Sequence, residues 1–359
     1  MTVPSLDRLA VARAAYNNVP LYDPKRTPVK LDLTDNTNLW GMPPNAECAL
    51  RECALSTVTR YPTLYGTELK RALADHAGVT PDMVVTGCGS DDLLDSAMRA
   101  FGNEGDLVAA TDPTFAMVPI FAGMNALRST LITELPDHDV DADALIATGA
   151  KLIYVCSPNN PTGALVARRT LERLIDGARG VLLIDEAYVE FAGVSNIDLL
   201  QRSPRVLLIR TMSKAFGLAG LRVGYALGHP SLVQEVEKSR GPYKVNALAE
   251  QVAIAALRND VRWVEEHIRL AIENRDRLTI ELLKLDLDPM PSSANFVCVP
   301  MRDCVAVGMA MRELGVGVRP FPSLPRVGDA LRISVGPWPM VEQCVRTLGA
   351  VLRKRGRKS

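Results

Sequence analysis

Three stretches decide how this chain folds: KLIYVCSPNNPTG (151–163), GVLLIDEAY (180–188) and RVLLIRTMSK (205–214). Each opens on an apolar run rich in Val, Ile and Leu, then breaks into polar residues, Gly or Pro. Runs of this length, bounded in this way, read as strands buried on both faces. DMVVTG (82–87) and GDLVAAT (105–111) repeat the pattern upstream. Between the runs lie stretches with helical periodicity, such as 90–101 and 170–179. Strands alternating with helices predict an α/β fold with a mostly parallel central sheet flanked by helices. Ligands in such sheets bind beyond the carboxyl ends of the strands, so the residues just after each run carry the functional information.

From about 248 to 285 the pattern is helical, with a break at Asn259-Asp260. After Pro289 and Pro291, NFVCV (295–299), GVGVRPF (315–321) and ALRISVG (330–336) read as short strands among helices. This change predicts a second, smaller α+β lobe. The expected division is an N-terminal arm at 1–35, a large domain at 36–248 and a small C-terminal domain at 249–359. The arm, with prolines at 4, 20, 24 and 28, is expected to pack on that lobe or on a partner subunit.

The composition narrows the function classes. The 359 residues carry 41 basic and 41 acidic side chains, which argues against a general nucleic-acid binder. A hydrophobic content of 47% is too high for a disordered chain. No apolar run approaches the roughly 18 residues of a membrane span. Asp7, Arg8 and Arg13 interrupt the first 18 residues, so no signal peptide is read and a cytoplasmic protein is expected. The seven cysteines form no CxxC pair and the four histidines lie far apart, so neither a disulfide frame nor a metal site is expected.

The strand ends deliver a specific set of groups. Asn160 follows the first quoted run, Asp185 and Tyr188 the second, and Thr211, Ser213 and Lys214 the third, with Arg222 beyond. Gly87-Cys88-Gly89-Ser90 follows DMVVTG. A carboxylate at the end of an apolar strand is costly unless it meets a cation. A lysine in a partly buried cleft can lose its proton and attack a carbonyl. Together they match the needs of pyridoxal 5′-phosphate (PLP): a lysine to bind its aldehyde and an acid to face its pyridine nitrogen. Tyr188 and Asn160 could reach the ring hydroxyl, and Lys214 could move a proton as general base and acid. The Gly-rich turn would let backbone approach a phosphate at a helix N-terminus capped by Ser90. Thr211, Ser213 and Arg222 would add donors, while Asp91 and Asp92 are expected to turn their carboxylates away. Each feature alone is commonplace; their joint order is what points to PLP. The turn is not a dinucleotide fingerprint, because Asp92 stands where the third glycine belongs.

With these residues in view, the sequence resembles the fold-type I, class I/II PLP-dependent aminotransferases over essentially its whole length. NNPTG, LIDEAY and RTMSKAFGLAGLRVGY carry the resemblance. RYPTLYGTELKRALA, GCGSDDLLD, PTFAMV, GPYKVNALAEQ, SSANFV and LRISVG resemble the histidinol-phosphate aminotransferase branch in order and spacing. The resemblance implies that Lys214 is the PLP-binding lysine and Asp185 the pyridine partner. It further implies that Tyr188 and Asn160 contact the ring hydroxyl, that Gly89, Ser90, Asp91, Thr211, Ser213 and Arg222 surround the phosphate, and that Phe115 stacks on the ring. It implies a homodimer in which Tyr61 crosses to the neighbour's phosphate. Arg332 would grip the substrate carboxylate, Arg319 a substrate phosphate, and Tyr22 and Asn38 would lie near the substrate. The implied activity is amino transfer between a small-molecule donor and a 2-oxo acid, with L-histidinol phosphate and 2-oxoglutarate as the favoured pair, in histidine biosynthesis. Two departures stand out: Asn36-Thr37-Asn38-Leu39-Trp40-Gly41 lacks the acid and proline that the branch usually carries, and Lys244 replaces a neutral polar residue. An aminotransferase for an aromatic or specialised-metabolite substrate, or a decarboxylase of the threonine-phosphate type, could share this frame.

Overall fold

The structure, a computed structural model, describes residues 12–21 and 28–356. Tyr22 lies outside the described residues. The central sheet has seven strands: β1 (Val84–Cys88), β2 (Leu107–Asp112), β3 (Arg128–Thr133), β4 (Leu152–Cys156), β5 (Val181–Asp185), β6 (Val206–Thr211) and β7 (Val223–Gly228). They lie in the order β1-β7-β6-β5-β4-β2-β3. Strand β7 runs antiparallel to both neighbours, and every other pairing is parallel. The carboxyl ends Cys88, Cys156, Asp185 and Thr211 therefore emerge on one edge.

Two strands of this sheet lie outside the runs read from the sequence. β3 is an edge strand none of whose residues is buried, so it never shows a continuous apolar run. β7 begins within the glycine-rich stretch that follows Lys214. A side chain at Gly224 would collide with the backbone of Gly89 and Ser90, so glycine is what lets β7 pass beside the start of helix α1 (Gly89–Phe101).

Side chains on the two sheet faces form two cores, one including Ile153, Val155, Ile184 and Leu208 and the other Leu93, Met98, Leu183 and Ile209. A third core surrounds the antiparallel sheet of β8 (Phe296–Pro300), β9 (Arg319–Leu324) and β10 (Gly328–Ser334), ordered β9-β10-β8. Leu31 and Leu33 join this third core, and Leu31–Asp32 pairs in parallel with Val316–Gly317. Residues 31–33 of the arm thus pack on the smaller lobe, whereas its turn Ala14–Asn18 packs on the large-lobe helix Val118–Met124.

Helix α2 (Ala247–Asn259) differs from expectation. Its buried face, Ala249, Val252, Ala253 and Ala256, belongs to the larger core. A division at 248/249 would separate that helix from the surface it packs on. Helix α3 (Val261–Leu283) spans both lobes, burying Val264 and Ala271 in the large core and Leu278 and Leu282 in the small one. Among the described residues, no helix is long and apolar enough to cross a membrane.

The expected break at Asn259-Asp260 has a physical cause. Asp260, 2% exposed, accepts hydrogen bonds from the Asn45 backbone (3.1 Å) and side chain (2.7 Å) and from the Ala46 backbone (2.9 Å). These are orphan donors at the start of helix Pro44–Arg51. Asp260→Ala should lower unfolding stability by about 1–3 kcal/mol, read as a shifted urea midpoint. An unchanged midpoint would contradict this account of the cap.

Candidate active site

Beyond the strand ends lies a cavity of about 590 Å³ between the two lobes. Asp185 and Tyr188 from the end of β5, Lys214 and Ser213 from beyond β6, and Asn160 from beyond β4 all line it. Phe115, Ser90, Asp91, Thr211 and Arg222 complete the large-lobe wall, and Arg319 and Arg332 face them from β9 and β10. The register Cys156↔Asp185↔Ile209 aligns the three central strands so that their terminal polar groups meet.

Asp185 is 4% exposed. Its Oδ2 accepts from the Tyr154 hydroxyl at 2.8 Å and its Oδ1 from the Ala187 backbone N–H at 3.0 Å. Burial pushes its pKa up to about 6, and the two hydrogen bonds oppose that rise. The Lys214 ammonium donates to the Asp35 carbonyl at 2.9 Å. Burial, and then the nearby Arg332 guanidinium, lower its pKa to about 8. A lysine so placed is neutral at mildly alkaline pH and can act as nucleophile or base. The Tyr188 hydroxyl accepts from Asn36 Nδ2 at 3.1 Å, and burial pushes its pKa to about 12. It therefore remains a phenol at working pH.

The anion-binding end is built from β6, β7 and α1. Thr211 Oγ1 donates to Ser213 Oγ (2.9 Å) and accepts from the Ser213 backbone (3.1 Å). Arg222 Nη1 reaches Ser213 Oγ at 3.5 Å, and Nη2 lies 3.3 Å from Asp91 Oδ2. Gly89 has φ +81°, and any side chain there would run into the Arg222 guanidinium. Two expectations are corrected. Ser90 makes no capping hydrogen bond; Asp92 Oδ2 instead accepts from the Cys88 backbone at 3.0 Å. Asp92 does turn away, to Lys244 at 2.9 Å, but Asp91 faces the cavity, held there by Arg222.

Arg332 is buried and donates to Asn160 Oδ1 and to the Thr34 carbonyl (2.5 Å), leaving its Nε without a partner. Arg319 stands opposite it in the β9/β10 register. Asn38 does not line the cavity. Its Nδ2 donates to the Ala215 carbonyl (2.9 Å) and its Oδ1 accepts from the Trp40 backbone (3.0 Å), so it pins the loop instead. Tyr61 also lies outside its own chain's cavity, 83% exposed and stacked on Tyr243 with ring centroids 5.0 Å apart. Residues that sequence reasoning missed include Tyr154, Cys156 and Phe321. Strand alternation carried the signal for each: the register Cys156↔Asp185 places Tyr154 and Cys156 on Asp185's face, and Phe321 falls two residues after Arg319.

A buried carboxylate with raised pKa, a half-buried amine with lowered pKa and an unpaired guanidinium donor in one cavity fit an anionic, nitrogen-containing ligand such as PLP. The whole-chain comparison agrees. Residues 28–348 match the profile of aminotransferase class I and II, and the chain belongs to that family of PLP-dependent aminotransferases. Among its relatives, a histidinol-phosphate aminotransferase from Thermoanaerobacter sp. (strain X514) is 33% identical over 320 residues, covering 88% of this chain and 91% of the relative. One from Roseiflexus castenholzii is 38% identical over 321 residues, covering 86% and 85%. An aromatic amino acid aminotransferase from Rhodococcus jostii is 34% identical over 333 residues, covering 90% and 91%. The solved structure of histidinol-phosphate aminotransferase from Sinorhizobium meliloti in complex with pyridoxal-5′-phosphate superposes with a TM-score of 0.88 at 25% identity, covering 98% and 100%.

Lys214→Ala should leave no PLP attached after borohydride treatment, checked by mass spectrometry of the peptide spanning residue 214. In the unaltered protein, the rate of PLP capture should rise about tenfold between pH 7 and pH 9, as the neutral fraction of an amine with pKa near 8 grows. A rate still climbing steeply above pH 9.5 would mean an ordinary, solvated lysine.

Proposed function

We propose that this aminotransferase moves the amino group between L-histidinol phosphate and 2-oxoglutarate, equivalently between imidazole-acetol phosphate and glutamate, in the cytoplasmic synthesis of histidine. The observation that supports this most is the registered pair Arg319↔Arg332 facing one cavity. Two guanidiniums there suit two chemically different partners in turn. A phosphate monoester needs one strong bidentate contact, and a dicarboxylate needs a cation for each end. The relatives of the histidinol-phosphate branch point the same way.

PLP, when bound, supplies an electron sink for the bond that breaks at the substrate carbon. The chain's own groups do the rest. Lys214 Nζ would take the proton from that carbon and deliver it to the carbon that carries the cofactor's aldehyde, and would run the transfer backwards in the second half-reaction. Asp185 faces the ring nitrogen with a negative charge. Tyr188 Oη and Asn160 offer hydrogen bonds to the ring hydroxyl. Thr211, Ser213, Arg222 and the first turn of α1 hold the phosphate. Arg332 orients the anionic end of the amino substrate. Phe115 and Phe321 add aromatic surface to the cavity wall. That surface, with the Rhodococcus jostii relative, favours a second reading, an aromatic amino acid as donor.

We further propose a homodimer whose Tyr61 completes the neighbour's phosphate site. Tyr61, Leu55, Val58 and Leu64 expose an apolar patch on one segment, more than scattered single residues would need. Tyr61→Phe should weaken PLP retention on dialysis while the protein elutes as a dimer; full activity from a monomer would refute the shared site.

The substrate is tested by a panel of amines with 2-oxoglutarate, read as glutamate formed. Histidinol phosphate should give the highest kcat/KM, and Arg319→Ala should raise its KM by roughly 10- to 100-fold with less effect on phenylalanine. A panel led by aromatic amino acids would favour the second reading. Carbon dioxide release without glutamate would replace amino transfer with decarboxylation.

A further inference from the structure

Tyr154 is a fully buried phenol in the middle of β4, among Leu152, Ile153 and Val155. A hydroxyl in such surroundings is costly unless it finds a partner. Cys156 pairs with Asp185 and Tyr154 with Leu183, so Tyr154 lies diagonally one pleat behind Asp185 on the same sheet face. Its hydroxyl donates to Asp185 Oδ2 at 2.8 Å. It does not line the cavity; of the groups that do, it meets Asp185 and the Cys156 thiol. Of the donors to the Asp185 carboxylate, Ala187 is backbone and Tyr154 is the side chain.

We propose that Tyr154 is a positioning residue that keeps Asp185 ionised and aimed, so that the proton shared between this carboxylate and the PLP pyridine resides on the ring nitrogen. The inference rests on the role proposed above for Asp185. A hydrogen bond to the charged form of an acid favours that form. Without it, the buried carboxylate becomes the stronger base, and the proton moves from ring nitrogen to Asp185 oxygen. No atom enters or leaves the pair. Burial and the Asp185 charge raise the phenol's own pKa well above its ordinary value, so it remains a donor across the working range.

The test uses holoenzyme loaded with PLP labelled with nitrogen-15 in the ring, read by NMR. Tyr154→Phe preserves the ring volume. Its nitrogen signal should move toward the unprotonated position at fixed pH, and kcat should fall about 10- to 100-fold with KM nearly unchanged. Incorporating a fluorinated tyrosine at 154, a stronger donor, should move the signal the other way, further toward the protonated position than in the unaltered protein at the same pH. An unshifted signal in Tyr154→Phe overturns the proposal. If that variant fails to fold, the fluorinated protein decides: a signal identical to wild type across its pH titration overturns it. Asp185→Asn separates the two layers. A signal that ignores Asp185→Asn refutes the carboxylate's role, whereas one that follows Asp185→Asn and ignores Tyr154→Phe refutes only the phenol's.

Discussion

The site depends on the level at which three parallel strands stop. Cys156 pairs with Asp185, and Asp185 with Ile209, so β4, β5 and β6 release their chains to polar sequence at one height. Hydrogen bonds along the ladder fix that height, and a slip of one residue would turn each terminal side chain to the opposite face. Asp185 would then leave the cavity and lose the Tyr154 hydroxyl. The apolar runs that build the sheet thus also aim its chemistry.

Charge burial follows from this geometry. The cavity gathers the Asp185 and Asp91 carboxylates, the Lys214 amine and the guanidiniums of Arg222, Arg319 and Arg332, with Asp185 and Arg332 buried. Their pKa values are displaced toward one another's function: Asp185 up to about 6 and Lys214 down to about 8. Perturbation by burial plus identified neighbours is what an active site requires and what a surface ion pair lacks. The second buried pair, Arg210 with Glu186 at 2.8 Å, lies on the adjoining stretch and is closed by Asn196 and Ser195. It does not line this cavity and instead ties down the loop after Tyr188.

Much of this was legible in the sequence because the central strands are apolar without interruption and the residues that follow them are polar and chemically specific. Asp185, Tyr188, Lys214 and Asn160 fell where such reading looks first. The pattern gave less where a strand is half-exposed, as in β3, or glycine-rich, as in β7. It also pointed to Asn38 as the substrate-side residue, where the structure presents Asn36 to the cavity. Asn36 has φ +56°, a left-handed turn that no periodicity announces, and it presents Asn36 rather than Asn38 to Tyr188. Asn36 is then fixed by Ser334 and Asn295, 298 and 259 residues further along the chain. The assignment of α2 to a lobe failed for a similar reason: amphipathicity shows that a helix has a buried face, not which core receives it.

Helix α3 carries a last consequence. At 23 residues it is about 34 Å long, and each of its ends is embedded in a different core. Trp40 packs against both cores as well. Such a beam ties the two walls of the cleft together: loss of either core strips packing from half of the same helix, so disorder in one wall removes support from the other.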